Sequence, residues 1–187
     1  MQSVYEKCPI YENEKYLLRL VENRDWEDLL KVYSDEKALP FFNSDNCNGD
    51  NFYYTSPERM KQAIDFWLME YGKRYYVRWV IVDKATNVAI GTIELFNRKA
   101  EDYFTDCGLL RLDLRSDYEH TDQIESILKL IMNFVFRDFQ CNKVATKAVP
   151  QATERILALK NAGFQATDEN LIGHDGTKYN SYYVVTN

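Results

Sequence analysis

The stretch from Cys107 to Val149 constrains the fold most. Cys107 to Leu114 alternates, with Leu110, Leu112 and Leu114 on one face of a strand and Arg111, Asp113 and Arg115 on the other. Apolar residues then recur at helical spacing through Ile124, Ile127, Leu128, Ile131, Val135 and Phe139, with Leu130 and Phe134 widening the stripe. Val144 to Val149 reads as a strand again. Two strands joined by a helix lie parallel, with the helix crossing over one face of their sheet, which makes the chain α/β. Ligands favour the carboxyl ends of such strands, so a cleft is expected near residues 114 to 124. The stripe predicts one helix from about Asp122 to Asp138, capped by Asp122 with Glu125 closing a reciprocal box.

The flanks extend this unit. Tyr16 to Val21 predicts a strand, and Asn23 a cap for a helix carrying Trp26, Leu29, Leu30 and Tyr33. Ser56-Pro57 starts a second helix with Met60, Ile64, Trp67, Leu68 and Tyr71 on one stripe. Between these helices, residues 43–51 are dense in turn formers and flanked by Phe41, Phe42, Phe52, Tyr53 and Tyr54, which either anchor the loop to the core or wall a pocket; anchoring is the expectation. Val77 to Val82 and Val88 to Phe96 form an antiparallel pair across a five-residue turn. After Val149 come a helix from Thr153 to Ala162, ended by Gly163, and strands around Gly173-His174-Asp175-Gly176, the last from Tyr182 to Thr186.

At 187 residues with no interior linker, residues 1–187 read as one domain, large enough to bury about 70% of its unfolded surface. Twenty-nine acidic against 23 basic residues give a net charge of -6, a field that repels nucleic acid and anionic lipid. No apolar run is long enough to span a bilayer, and residues 1–16 lack a basic flank and apolar run, so no membrane partner and a cytoplasmic location are expected. Cys8, Cys47, Cys107 and Cys141 are too scattered for a zinc knuckle, and two histidines cannot build a histidine-rich site, so no metal is expected. The aromatic surplus is compatible with a homodimer.

The succession of elements, with Leu18-Arg19-Leu20 ahead of the first helix, Ile90-Gly91-Thr92-Ile93-Glu94-Leu95 in the third strand and Leu159-Lys160-Asn161-Ala162-Gly163-Phe164 closing the last helix, resembles the GNAT superfamily of N-acetyltransferases. It looks closest to the ribosomal-protein alanine acetyltransferases, on Leu114-Arg115-Ser116-Asp117-Tyr118 leading into an acetyl-CoA loop. The resemblance implies a GNAT-like mixed sheet of six to seven strands, splayed, with about four helices on its two faces. It also implies acetyl-CoA as co-substrate, held by Leu114, Arg115, Glu119, His120, Thr121, Asp122, Gln123 and Ile124, and a primary amine of a protein N-terminus or small molecule as acceptor. The family loop's arginine and glycines, however, fall on Glu119, His120, Asp122 and Ile124. Its asparagine falls on Ala152 and its thiolate-protonating tyrosine on Leu159. Glu119, Asp122 and Glu125 place three carboxylates where a helix end should attract phosphate, so weak cofactor binding is expected.

Two carboxylates are candidate bases. Glu94 is the first, although a solvated strand carboxylate is the simpler expectation; Asp113 is the second, with pairing to Arg111 or Arg115 an equal account. Two functions stay open: an acyl-CoA-dependent N-acetyltransferase, or a non-catalytic module on the same fold that binds a partner or small molecule.

Overall fold

A computed structural model describes residues 3–187. The strands are β1 (Tyr11–Glu12), β2 (Tyr16–Leu20), β3 (Val77–Asp83), β4 (Val88–Arg98), β5 (Cys107–Leu114), β6 (Lys143–Lys147), β7 (Gln165–Ala166), β8 (Leu171–Ile172), β9 (Lys178–Tyr179) and β10 (Tyr182–Thr186). The helices are α1 (Trp26–Tyr33), α2 (Pro57–Gly72), α3 (Thr121–Met132), α4 (Val135–Phe139) and α5 (Thr153–Asn161). One eight-stranded sheet runs β1-β2-β3-β4-β5-β6-β10-β7, and β8 and β9 form a separate hairpin. The sheet is one to two strands larger than expected because the two-residue strands β1 and β7 extend its edges; the α/β class stands.

The crossover unit forms as the sequence demands: β5 and β6 are parallel while every other pairing in the sheet is antiparallel. Trp79, Ile81, Ile93, Leu110 and Leu112 share a core with Ile124, Ile127, Leu128 and Ile131 of α3 and Ala158 and Leu159 of α5. The opposite face, through Val80 and Val82, packs on Leu29, Val32 and Tyr33 of α1 and Met60, Ile64 and Trp67 of α2. Gly91 sits where β4 pairs with β5: a Cβ there would lie 2.1 Å from the Asp113 carbonyl oxygen, so a side chain would push the strands apart.

Three local expectations are corrected. Phe134 leaves helical geometry at φ -125 and stacks on Tyr11 with centroids 5.0 Å apart, which divides the expected 122–138 helix into α3 and α4. Asp122 does not cap α3; it is exposed in the first turn, and the helix starts after His120. Asn23 does not cap α1 either, because residues 23–25 form a 3-10 turn in which the Asp25 carboxylate accepts the Glu22 N–H at 2.8 Å. Ser56 does cap α2, accepting the Arg59 N–H at 3.2 Å.

Candidate functional site

The splay between β5 and β6 organises the site. Their pairing runs from Cys107↔Lys143 to Leu110↔Thr146 and stops there, although β5 continues to Leu114 against β4 and β6 continues against β10. Beyond Leu110 the inner edge of β5 therefore needs other hydrogen-bond partners.

Arg155, from the first turn of α5, supplies them. Its Nη1 donates to the Leu112 carbonyl at 2.7 Å and to the Phe41 carbonyl at 3.1 Å. Nε and Nη2 donate to the two Glu119 oxygens at 2.6 and 2.8 Å, a fork-to-fork pair. Both residues are buried, at 2% and 8% exposure. Four of the five N–H donors of this guanidinium are thus spent on fixed acceptors in the mouth of the splay. A buried ion pair of this kind stands only while complete, because either partner alone is a buried uncompensated charge.

The helix end beside it is occupied as well. The Glu154 carboxylate accepts the Thr121 N–H at 2.8 Å and the Thr121 hydroxyl at 2.5 Å, and those bonds hold its pKa below the ordinary glutamate value. Of the other loop residues expected to hold a cofactor, Leu114 and Ile124 are core, Arg115 pairs with Asp117 at 2.6 Å, and His120 and Asp122 point to solvent. Gln123 is half-buried, with its Oε1 unpartnered. Leu159 is fully buried core with no proton to give. In this arrangement the Leu112 carbonyl at the splay is taken by Arg155, and the Thr121 N–H at the helix end by Glu154, so neither group is free for an acetyl-CoA arm or diphosphate without rearrangement. Those contacts lie where the cleft is expected, near residues 114–124.

The open space lies across the sheet. One cavity of about 950 Å³ is bounded by Phe96, Leu109, Arg111, Tyr182 and the 171–174 segment, and another of about 430 Å³ by Phe52, Tyr54, Trp67, Tyr76, Arg78 and Arg111. Arg111 and Asn46 belong to both. Phe52 and Tyr54 therefore anchor the loop, being buried, and wall a cavity too.

Beneath the cavities lies a buried polar network that contains both candidate bases. Glu94 is 1% exposed rather than solvated, and pairs with Arg78 and with Arg111, the latter at 2.5 Å. Burial pushes its pKa up, but Arg111 and Arg78 outweigh this and hold it below the ordinary glutamate value. Asp113 behaves oppositely. It is fully buried, accepts from the Tyr33 hydroxyl at 2.9 Å and lies 3.4 Å from Arg78, yet its other oxygen has no partner, and burial raises its pKa. Neither arginine expected beside Asp113 pairs with it; its partner is Arg78. Thr92 completes the network, 2.7 Å from the Tyr33 hydroxyl and 3.0 Å from Arg78. At the network's outer edge Arg111 donates to the Asp45 carbonyl, while the Asp45 carboxylate takes Lys147 at 2.7 Å and the Tyr182 hydroxyl at 3.1 Å.

Sequence reasoning singled out Glu94, Asp113 and Glu119 but missed Arg155, Arg78 and Tyr33. Two of these leave a trace: Arg155 shares a helical stripe with Ala158 and Leu159, and Arg78 interrupts an otherwise apolar strand. A charge at an apolar position demands a buried partner. Among the described residues no cluster of His, Cys, Asp and Glu could hold a metal ion, and no helix is long and apolar enough to cross a membrane.

No curated protein sequence matches the chain significantly. Solved structures do match in fold. The ribosomal-protein-S5-alanine acetyltransferase of Vibrio fischeri superposes with a TM-score of 0.71 at 17% identity, covering 96% of this chain and 97% of its own. A GNAT-family acetyltransferase of Bacillus anthracis gives 0.70 at 12% identity, covering 95% and 98%. The ribosomal L7/L12 alpha-N-protein acetyltransferase, solved with coenzyme A, gives 0.68 at 13% identity, covering 95% and 98%. Residues 15–165 match the acetyltransferase (GNAT) domain, and with most of its length inside that match the chain belongs to the GNAT family.

Proposed function

We propose that this chain is a ligand-binding protein on the GNAT fold that does not seat acetyl-CoA in the splay between β5 and β6. The observation that carries this reading is the Arg155–Glu119 pair, whose guanidinium takes the Leu112 carbonyl in the opening. A ligand arm entering there must displace a buried, bidentate ion pair, at a cost of several kcal/mol before it gains any contact. Glu154 on the Thr121 N–H and the absence of a proton donor at Leu159 point the same way.

A second reading, acetyl transfer to a primary amine, is favoured by the retained splay and by family membership. In that reading Arg155 swings out when the co-substrate arrives. Asp113 would be the better base of the two candidates, since its raised pKa makes it hold a proton more readily than Glu94, which two guanidinium groups keep ionised.

Calorimetric titration of the intact protein with acetyl-CoA separates the two. The expected result is no binding up to millimolar acetyl-CoA and no coenzyme A release with a panel of amines and N-terminal peptides. Micromolar binding would overturn the proposal and leave the transferase standing.

A further inference from the structure

The open cleft on the α2 side gathers arginines, unlike the acidic molecule as a whole. The chain has a net charge of -6, yet the smaller cavity is bounded by three arginines, Arg59, Arg78 and Arg111; Arg59 pairs with Asp50, and Arg78 with Glu94 and Asp113, while Arg111 shares Glu94 with Arg78. The larger cavity shares Arg111 and otherwise balances, with Arg74, Arg98 and Lys99 against Asp45, Glu101 and Asp102.

The aromatic walls exclude a cation more directly. Ring faces that would attract a ligand ammonium already hold guanidinium groups: Arg78 stands 4.2 Å over the Trp67 ring centroid and Arg59 4.4 Å over that of Tyr54. A ligand amine would find those faces taken and two positive charges beside it. An anion meets the reverse situation. Arg111, shared by both cavities and 12% exposed at its side chain, makes two hydrogen bonds, to Glu94 and to the Asp45 carbonyl. Its remaining N–H donors have no bond among the described residues. Phe52, Phe66, Trp67 and Tyr76 supply apolar contact beside it. A cavity of about 430 Å³ falls in the range that encloses a small organic molecule.

We infer that the cleft between α2 and β5 binds a small carboxylate with an aromatic or apolar body, its carboxylate on Arg111 and its body against Phe66 and Tyr76. The inference rests on the binding-protein reading and names the class of its ligand.

The test is a protein-observed NMR titration of the whole chain at neutral pH. The probes are 3-phenylpropionate and indole-3-acetate, each set against its amine counterpart, 3-phenylpropylamine and tryptamine. The acids should shift the Trp67 indole and Arg111 resonances with saturable, submillimolar to millimolar affinity, at least tenfold tighter than the amines. Arg111→Gln should weaken the acids tenfold or more. Should that variant not fold, Phe66→Glu places a carboxylate on the exposed rim of the cavity and should weaken them several-fold without touching the core. Amines binding as well as acids, acids failing to bind, or acids binding undiminished to the folded variants would each overturn the inference. Acetyl-CoA binding in the calorimeter with acids still binding here would refute the empty splay and leave the cleft's ligand class intact.

Discussion

Two buried or half-buried arginines, one on either side of the sheet, show how the same chemistry closes one site and leaves another open. Arg155 spends four N–H donors, two on a carboxylate and two on carbonyls, at the splay. Arg111 spends two and keeps the rest facing a cavity. Donor use distinguishes them, because a guanidinium with four of its five donors fixed acts as structure and one with most to spare can act as a binding group.

The largest expected effect breaks the closed side. Arg155→Ala leaves Glu119 buried without a partner and should cost about 3–5 kcal/mol, read as a shift in the denaturation midpoint. Removing both charges, in Arg155→Ala with Glu119→Gln, should recover part of that loss and free the Leu112 carbonyl, so acetyl-CoA binding should appear in this double variant at least tenfold above the parent protein. Glu119→Arg alone should not help. It would set a second guanidinium against Arg155 and fail as a folding matter before any gain in phosphate attraction. If the double variant folds and still ignores acetyl-CoA, the pair is not what excludes it.

This pair also shows what a sequence can and cannot disclose. The order of elements was legible because period-two and period-3.6 patterns follow directly from which face is buried, and the β5–α3–β6 unit left little topological choice. Glu119 stood out as an acidic residue where a helix end should face phosphate, but its charge appeared to face a ligand. Its neutralisation by Arg155, 36 positions away, depends on how α5 docks against β5, which no local pattern encodes. Glu94 was illegible for a similar reason. Alternation on β4 and β5 marked a polar face, and polar faces are normally wet; here α1, α2 and the loop at residues 43–51 cover it, and Arg78 and Arg111 make the burial tolerable.

On the open side the two candidate bases should separate by their pH dependence. Glu94 has a folded pKa below its unfolded value near 4.5, so its contribution is present above that value and lost as pH falls through the folded one. Asp113 has a folded pKa above its unfolded value near 3.8, so the stability linked to it is present below that value and lost as pH rises through the folded one. Denaturation midpoints across pH should therefore show a flatter acid side in Glu94→Gln, together with lower stability at neutral pH because Arg78 and Arg111 lose their shared carboxylate. Asp113→Asn should lessen the loss on the rising side instead. Identical pH profiles for the two variants would mean that the carboxylates titrate as one unit rather than as opposed groups.

The smallest effect belongs to Glu154, at the helix end where the closed side meets solvent. Its carboxylate is exposed, so water competes for it and its removal should change global stability little. The local consequence is sharper. Thr121 loses both the acceptor of its N–H and the partner of its hydroxyl, leaving a first-turn donor of α3 to water. Glu154→Ala should accelerate amide exchange at Thr121 and, more weakly, at its neighbours in that turn, while the core of α3 around Ile127 and Leu128 stays protected. In the parent protein the same amide should lose protection as pH falls through the Glu154 pKa, which its bonds to Thr121 hold below the ordinary value, so the change should come at lower pH than for a free glutamate. Addition of inorganic diphosphate is the useful control, since an anion that restores Thr121 protection in Glu154→Ala would occupy the place the carboxylate held. Exchange at Thr121 unchanged by the substitution would remove Glu154 from the groups that close this end of the molecule, and the proposed exclusion of acetyl-CoA would rest on Arg155 and Glu119 alone.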